Sequence, residues 1–329
     1  MPITIEPFAE QHGDDVYRIA RAAWEFDVPD IPFFTPAGYA AMSATVWPSN
    51  TRERYVALLD GVVAGFLSMR MPLADNVENV SLDLLTDPAL RRRGVGRALL
   101  DHAVERARVL GRKHLTGSTV DHTPDGGAFA VAMGARVGLA ETRSRLDLPP
   151  ADQERLDALL AEAWQHADGY RLVQWSGVSA EEYLADLAYL ESRYTLDAPM
   201  GELATEPEKI DAARFLAAEQ HRVAIGRTPF QTGAVHEGSG RMIAWTFIAG
   251  SDDTPSQSWQ NLTLVHPEHR GHRLGLIVKL ENLRYIRAHR PELTGIDTIN
   301  AADNERMLAI NVAMGFRPAD SWIEWQLSL

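Results

Sequence analysis

The sequence contains no cysteine. Disulfides, thiolate metal ligands and a cysteine nucleophile are excluded together. Lysine is almost as scarce, occurring only at Lys113, Lys209 and Lys279, and arginine supplies the remaining basic charge. Basic residues are in deficit overall: 32 Lys plus Arg stand against 45 Asp plus Glu, a formal net charge of −13. A general nucleic-acid binder carries the opposite excess, so no nucleic-acid partner is expected. A cationic or neutral small substrate suits the charge better. No stretch reaches the roughly 18–20 consecutive apolar residues of a membrane span, so no membrane partner is expected. Residues 1–16 carry acids and lack a basic-then-apolar pattern, so a secretory signal is not expected and a cytoplasmic location is.

What is present is a chain of 329 residues, 45% hydrophobic and 23% charged. That length is about twice the usual single domain. A long-period repeat explains it. Leu84-Leu-Thr-Asp-Pro-Ala-Leu-Arg-Arg-Arg-Gly-Val-Gly96 aligns without a gap on Thr263-Leu-Val-His-Pro-Glu-His-Arg-Gly-His-Arg-Leu-Gly275, at an offset of 179 residues. Ala132-Met-Gly134 meets Ala313-Met-Gly315 at an offset of 181. Solenoid repeats run about 20–50 residues, so this period indicates duplicated domains.

Each copy has the same coarse order. In the first, residues 55–60 and 62–69 are strand-like and joined by Asp60-Gly61, a strong hairpin signal. Residues 80–86 predict a third strand, and Leu99, Leu100, Ala103, Val104 and Ala107 fall on one helical face, ended by Gly111. Strand 114–120, a short helix at 129–133 and strand 137–148 follow. The second copy repeats the pattern with strands 234–237, 242–248 and 259–265, and a helix carrying Leu276, Leu280 and Leu283. Strand 295–300, helix 304–314 and a final strand 322–327 complete it. Pro149-Pro150 breaks the chain, and 152–167 predicts a connecting helix. The expected organisation is an N-terminal domain 1–150, a connecting helix or linker 151–168 and a C-terminal domain 169–329.

The segment after each third strand carries the chemistry. A Pro stops the strand, a short turn brings Arg and Gly, and a helix starts at once. The first N–H groups of that helix lack internal partners, and its dipole adds partial positive charge. Arg91, Arg92, Arg93 and Arg97 add more. This is the expected build of a pyrophosphate site. It is neither the dinucleotide fingerprint nor a nucleotide-hydrolase phosphate loop, because the third Gly and the Gly-Lys-Ser/Thr are both missing.

The Arg-x-x-Gly-x-Gly pattern of Arg91-Arg-Arg-Gly-Val-Gly96, after a strand and a Pro, resembles the coenzyme A loop of the GNAT superfamily of N-acetyltransferases. Arg270-Gly-His-Arg-Leu-Gly275 departs from it only where Arg273 replaces the middle Gly. Lys279, Thr298-Ile-Asn-Ala301, Asn304, Met307, Asn311 and Gly315-Phe316 also resemble GNAT sequences. The likeness spans both halves, a layout similar to that of mycothiol synthases.

The resemblance implies an α/β fold of two tandem domains, each with a central mixed sheet flanked by helices. It also implies that two neighbouring parallel strands splay apart in each. The arm of acetyl-CoA, the implied cofactor, would lie in the splay against Leu84, Leu85 and Thr86, or against Thr263, Leu264 and Val265. Its diphosphate would meet Arg91, Arg92, Arg93, Gly94, Val95, Gly96 and Arg97, or Arg270, Gly271, His272, Arg273, Leu274 and Gly275, with Asn300 and Asn304 nearby. The implied reaction is direct transfer of acetyl to the amine of a small molecule. The alternative is a coenzyme A-binding sensor or interaction protein without turnover.

A backbone N–H would stabilise the developing oxyanion, and the amine needs a base to lose its proton. The slot that usually holds a Tyr acid in this superfamily, four residues before the Gly of Gly-Phe, contains Ala130 in the first copy and Asn311 in the second. Asn311 is the candidate that positions the sulfur, and Glu237, His236 and His266 are candidate bases. The intact loop of the first copy suggests tight coenzyme A binding with a mainly structural role. The asparagines of the second suggest that the chemistry occurs there. His266, His269 and His272 recur every third residue, but intervening Arg270 and Arg273 oppose a metal ion, and no metal is expected. Trp24, Phe26, Phe33, Phe34 and Tyr39 form either an acceptor wall or a stiff packed loop. Trp164, Tyr170 and Trp175 are expected in packing.

Overall fold

The computed structural model describes residues 2–121 and 123–329, apart from the side chain of Pro124. The first stretch of chain forms β1 (Ile3–Pro7), α1 (Gly13–Asp27), α2 (Pro36–Ala44), β2 (Asn50–Leu59), β3 (Val62–Pro72), β4 (Asn79–Thr86), α3 (Val95–Val109), β5 (His114–Val120), α4 (Pro124–Ala132) and β6 (Arg136–Asp147). Then come α5 (Gln153–Trp164), β7 (Tyr170–Ser176), α6 (Glu181–Ser192), α7 (Tyr194–Asp197), α8 (Ala212–Ala224), β8 (Pro229–His236) and β9 (Met242–Gly250). The chain finishes with β10 (Gln257–Val265), α9 (Leu274–His289), β11 (Gly295–Ala301), α10 (Glu305–Met314) and β12 (Arg317–Ser328). The sequence pattern reads the central strands and α3, α9 and α10 closely, and it leaves α6, α7 and α8 unassigned.

Two compact units form, and neither is a contiguous half of the chain. The first comprises residues 1–141, 200–206 and 320–329; the second comprises 142–199 and 207–319. The repeat alone suggests a cut near residue 150 and leaves the last strand in the second copy. In the structure, β12 instead takes the bare edge of β5, antiparallel, from Trp322 opposite Val120 to Ser328 opposite His114. An unpaired edge leaves N–H and C=O groups without partners, so filling it is worth a long excursion of the chain. Leu327 packs beside the core around Leu99, Leu100 and Leu115.

In the first unit the strands run β1-β2-β3-β4-β5-β12. Strand alternation gives the sheet two faces. One carries Leu67, Met69, Val80 and Leu115 against α3. The other carries Val56, Val63 and Phe66 against Val16 and Ile19 of α1. Ser81 and Asp83 alternate with Val80 and Leu82, and so share the α1–α2 face.

In the second unit the trailing part of β6 borders β11, followed by β10-β9-β8-β7. One core gathers Leu156 and Leu160 of α5 with Ile277, Leu280 and Leu283 of α9. The other gathers Leu187 of α6, Phe215 of α8 and Trp245 of β9. Trp164 and Tyr170 pack beside the first of these cores and Trp175 beside the second. The trailing part of β6 is fixed by charge. Arg143 donates to Oδ1 of Asp297 at 2.8 Å, and Arg145 donates to Oδ2 at 2.8 Å. Gln257 donates to the same carboxylate, which is fully buried.

Both units share one irregularity. Strands β4 and β5 pair in parallel only at Asn79–His114, Val80–Leu115 and Ser81–Thr116. Strands β10 and β11 pair only at Gln257–Gly295, Ser258–Ile296 and Trp259–Asp297. Their other edges stay laddered, β4 to β3 as far as Thr86 and β10 to β9 as far as Val265. Each parallel pair therefore opens into a splay.

Removing the Asp297 carboxylate takes an acidic partner from the buried Arg143 and the partly buried Arg145. We expect Asp297→Ala to lower stability by about 3–5 kcal/mol, read as a lower urea midpoint for the second unit. An unchanged midpoint would show that the cluster does not fix β6.

Candidate active site

The splays face the two Arg-Gly loops. In the first unit the turn passes through Arg92 at φ 64° and Gly94 at φ 90°, and α3 starts at Val95. In the second it passes through Gly271 at φ 91° and Arg273 at φ 54°, and α9 starts at Leu274. Both loops use two left-handed residues at matching places. Each puts glycine at a different one, so the Arg273 departure in sequence preserves the backbone. Successive N–H groups in such a turn make an anion-binding concavity. A Cβ added at Gly96, in the first turn of α3, would make ordinary contacts with Phe129 at 3.4 Å and Thr86 Oγ1 at 3.5 Å.

The two loops differ in electrostatics. Arg91 stacks on Phe26 at 4.7 Å and lies 3.7 Å from Asp125. Arg92, Arg93 and Arg97 have no ion-pair partner among the described residues. In the second unit, Arg270 pairs with Asp197 at 2.6 Å and Arg273 with Glu162 at 2.9 Å. His272 hydrogen-bonds the carbonyl of His166 through Nδ1 at 3.0 Å. The donor set of the first loop suits a diphosphate directly; that of the second must first release its own carboxylates.

The strand positions flanking the splays also differ. Leu84 packs on the α3 side and Leu85 on the α1 side. Leu264 is buried against the α6–α8 core, and Val265 packs against the α5–α9 core. Asn304 caps α10, its Oδ1 accepting from Met307 N at 3.2 Å.

Of the expected bases, Glu237 lies exposed in the β8–β9 turn, two strands from β10. His266 caps the short turn before Arg270, its Nδ1 accepting from Glu268 N at 3.3 Å. Asp87 does the same in the first unit, accepting from Ala89 N at 2.9 Å. The residue at that repeat position is a cap in both units. His236 hydrogen-bonds Ser239 at 2.9 Å across its own turn. His269 packs on the rings of Tyr170, His236 and His266 and is pushed below the usual imidazole range, chiefly by burial. Among the described residues no group of three or more His, Cys, Asp or Glu side chains is placed to hold a metal ion.

Asn311 is buried, and its surroundings are polar. Lys279 Nζ donates to its Oδ1 at 2.6 Å, and its Nδ2 donates to Asn300 Oδ1 at 2.8 Å. Lys279 is 1% exposed, and burial pushes its amine down to about 7. The signal for Lys279 was in the sequence as the one charged residue on an apolar stripe: Leu100 occupies the corresponding place in the first copy.

A carboxyl pair in the first unit was not legible as a site. Glu324 of β12 stands opposite Ser118 and accepts a hydrogen bond from its hydroxyl. Arg70 and Asp83 act electrostatically on Glu324. Burial, followed by the charge of Glu324, pushes Glu141 up to about 7. Among the described residues Glu141 has no ion-pair partner. The pair lies beside the splay, since Ser118 follows Thr116, the last β5 residue paired to β4. The segment 200–206 crosses nearby: Asn79 donates to the Ala204 carbonyl at 2.6 Å, and Ala204 N donates to Gln326 at 2.7 Å. The aromatic segment forms its own cluster, with Phe33 against Tyr17, Trp24, Phe34 and Tyr39, and Trp24 Nε1 donating to the Ile31 carbonyl at 2.9 Å.

Residues 13–131 match the model of the acetyltransferase (GNAT) family. Among solved structures, the chain is similar to a tandem GNAT protein from the clavulanic acid biosynthesis pathway, described without AcCoA. The two are 30% identical, with 99% of this chain and 98% of that one covered and a TM-score of 0.80. A GCN5-related N-acetyltransferase from Sphaerobacter thermophilus shares the fold at 13% identity, covering 99% of this chain and 95% of its own, with a TM-score of 0.68. A glucosamine N-acetyltransferase region of a fungal multi-domain β-N-acetylglucosaminidase does so at 16% identity and TM-score 0.69, over 99% of this chain and 38% of its own. The search of curated proteins gives no match. No helix among the described residues is long and apolar enough to cross a membrane. With the duplicated splay and loop, and with a relative matched along almost its full length, the chain belongs to the GNAT acetyltransferase family and carries two GNAT domains in tandem.

Proposed function

We propose that the protein is an acetyl-CoA-dependent N-acetyltransferase acting on the amine of a small molecule, and that transfer occurs in the first unit. The observation that carries this reading is the set of guanidinium groups of Arg92, Arg93 and Arg97, without ion-pair partners among the described residues, around the start of α3 and next to an open β4 edge. That arrangement offers charge to a diphosphate and unpaired backbone groups to the amide-bearing arm of coenzyme A. It reverses the division expected from sequence, because Arg270 and Arg273 are already paired to carboxylates.

Glu141 is the proposed base. A carboxyl that titrates near 7 can take a proton from an amine and still be ionised in useful amount. Burial first and the charge of Glu324 second keep Glu141 in that range, and Glu324, anchored by Ser118, draws a cationic acceptor to the splay. A free N–H on the open edge of β4 meets the developing oxyanion. Departure of the coenzyme A thiolate needs no strong acid, since thiols have a reference pKa of about 8.5; Ala130 in the acid slot is then no obstacle. Coenzyme A binding without turnover is the reading that the paired loop favours for the second unit.

The pH dependence has a definite sign. Glu141 gains its charge as pH rises through about 7, so turnover should rise through that pH and level above it. Glu141→Gln should lower kcat by about 10²–10⁴-fold and remove the limb; an unaltered profile in a steady-state thiol-release assay would discard Glu141 as the base.

Arg92 holds a left-handed backbone and, among the described residues, has no carboxylate partner. Replacing it by glycine relieves about 1–2 kcal/mol of strain and deletes one diphosphate contact. Arg92→Gly should therefore raise the thermal midpoint while weakening acetyl-CoA binding, measured by calorimetry. A variant that gains neither stability nor a higher Kd would contradict the loop assignment.

A further inference from the structure

Lysine has only donors, so it dictates the orientation of any carboxamide it touches. Lys279 Nζ lies 2.6 Å from Asn311 Oδ1, which turns the Asn311 amide nitrogen away, toward Asn300 Oδ1 at 2.8 Å. That contact in turn leaves the amide nitrogen of Asn300 as the outer end of the chain. Lys279 and Asn311 are each 1% exposed, whereas Asn300 is only half-buried. Asn300 stands on β11 three residues beyond Asp297, the last residue paired to β10. The three side chains thus form a one-way row of N–H donors running from the core to the opened stretch of the splay.

Such a row is costly unless it serves something. A buried ammonium without a carboxylate is strongly disfavoured. The first unit shows what the fold itself requires: Leu100 and Ala130, both buried and apolar, occupy the places of Lys279 and Asn311. Around Nζ, α10 presents the Asn311 carboxamide and the Met307 sulfur at 3.9 Å, and the Phe316 ring lies at 5.4 Å. Among the described residues no carboxylate, imidazole or guanidinium perturbs the Lys279 amine; burial alone lowers it.

We propose that Lys279 is a positioning residue of the second unit, orienting Asn311 and Asn300 so that an N–H donor meets a carbonyl of an acyl-CoA arm in the β10–β11 splay. This rests on the reading that the chain binds acyl-CoA. It makes the second unit a second ligand site, with an affinity tied to the charge on one buried amine. When the ammonium loses its proton, the neutral amine no longer distinguishes the oxygen of Asn311 from its nitrogen, and the row loses its direction.

The test is calorimetric titration with acetyl-CoA in a background carrying Arg92→Glu and Arg93→Glu, which disables the first loop. One binding equivalent is expected to remain, weaker at pH 8.5 than at pH 6. Lys279→Leu should weaken it at least tenfold at pH 6 and abolish the pH dependence. Asn300→Ala should weaken it similarly, and the double variant should lose no more than either single one. Lys279→Leu should also unfold at a higher temperature at neutral pH, because it removes a buried charge. If Lys279→Leu fails to fold, Lys279→Met and the pH dependence of the parent background decide the question. Binding that is pH-independent, additive losses, or no equivalent in this background while the unaltered protein binds one would each overturn the proposal. No binding by the unaltered protein would overturn the acyl-CoA reading as well.

Discussion

The constraint on which the rest depends is the short reach of two parallel pairings. Strands β4 and β5, like β10 and β11, stay together for three residues and then part. Parting leaves N–H and C=O groups of Leu82–Thr86 and of Gln260–Val265 without a strand partner on that side. Such groups are expensive to leave unmatched in a protein interior. An extended ligand with its own amides can complete the ladder, and nearly every chemically suggestive residue stands around these two gaps. The Arg-Gly turns close one end. The carboxyl pair and the Lys279 row sit beside the openings, one in each unit.

The duplicated halves show how far backbone and chemistry can be separated. Both turns hold two residues at positive φ, and glycine occupies the second position in one and the first in the other. Local geometry is therefore kept while the charge balance changes. Surface ion pairs contribute about 0–1 kcal/mol, so the Asp197 and Glu162 contacts of the second turn set the order of partner exchange more than its energy. Conversely, Leu100 and Lys279 share one place on equivalent helices with opposite demands. Leucine contributes burial, whereas lysine requires the hydrogen bond to Asn311.

The sequence revealed what is encoded locally. Asp60-Gly61, the glycines of the turns, and Pro88 and Pro267 fix the backbone within a few residues, so strands, loops and helices were readable. The distribution of the final strand was not, because β12 pairs with β5 across most of the chain, and no local pattern distinguishes that edge from a nearer one. Glu324 and Glu141 were hidden for the same reason: each looks like an ordinary polar residue on an alternating strand until its neighbours are known. His266 shows what the repeat adds to a local reading. Histidine invites a catalytic reading, yet its place in the repeat matches Asp87, and its ring nitrogen does the same capping work.

The late arrival of β12 also has a consequence for how the protein is made. Val120 and Trp322 are neighbours in the finished sheet but about 200 residues apart in translation. At about 5–20 residues per second, the nascent chain carries a bare, adhesive strand edge for roughly 10–40 seconds before its mate is synthesised. During that interval a neighbouring nascent chain on the same polysome offers competing strands. Production of this protein should therefore depend on ribosome spacing and on chaperone shelter far more than its final stability would suggest.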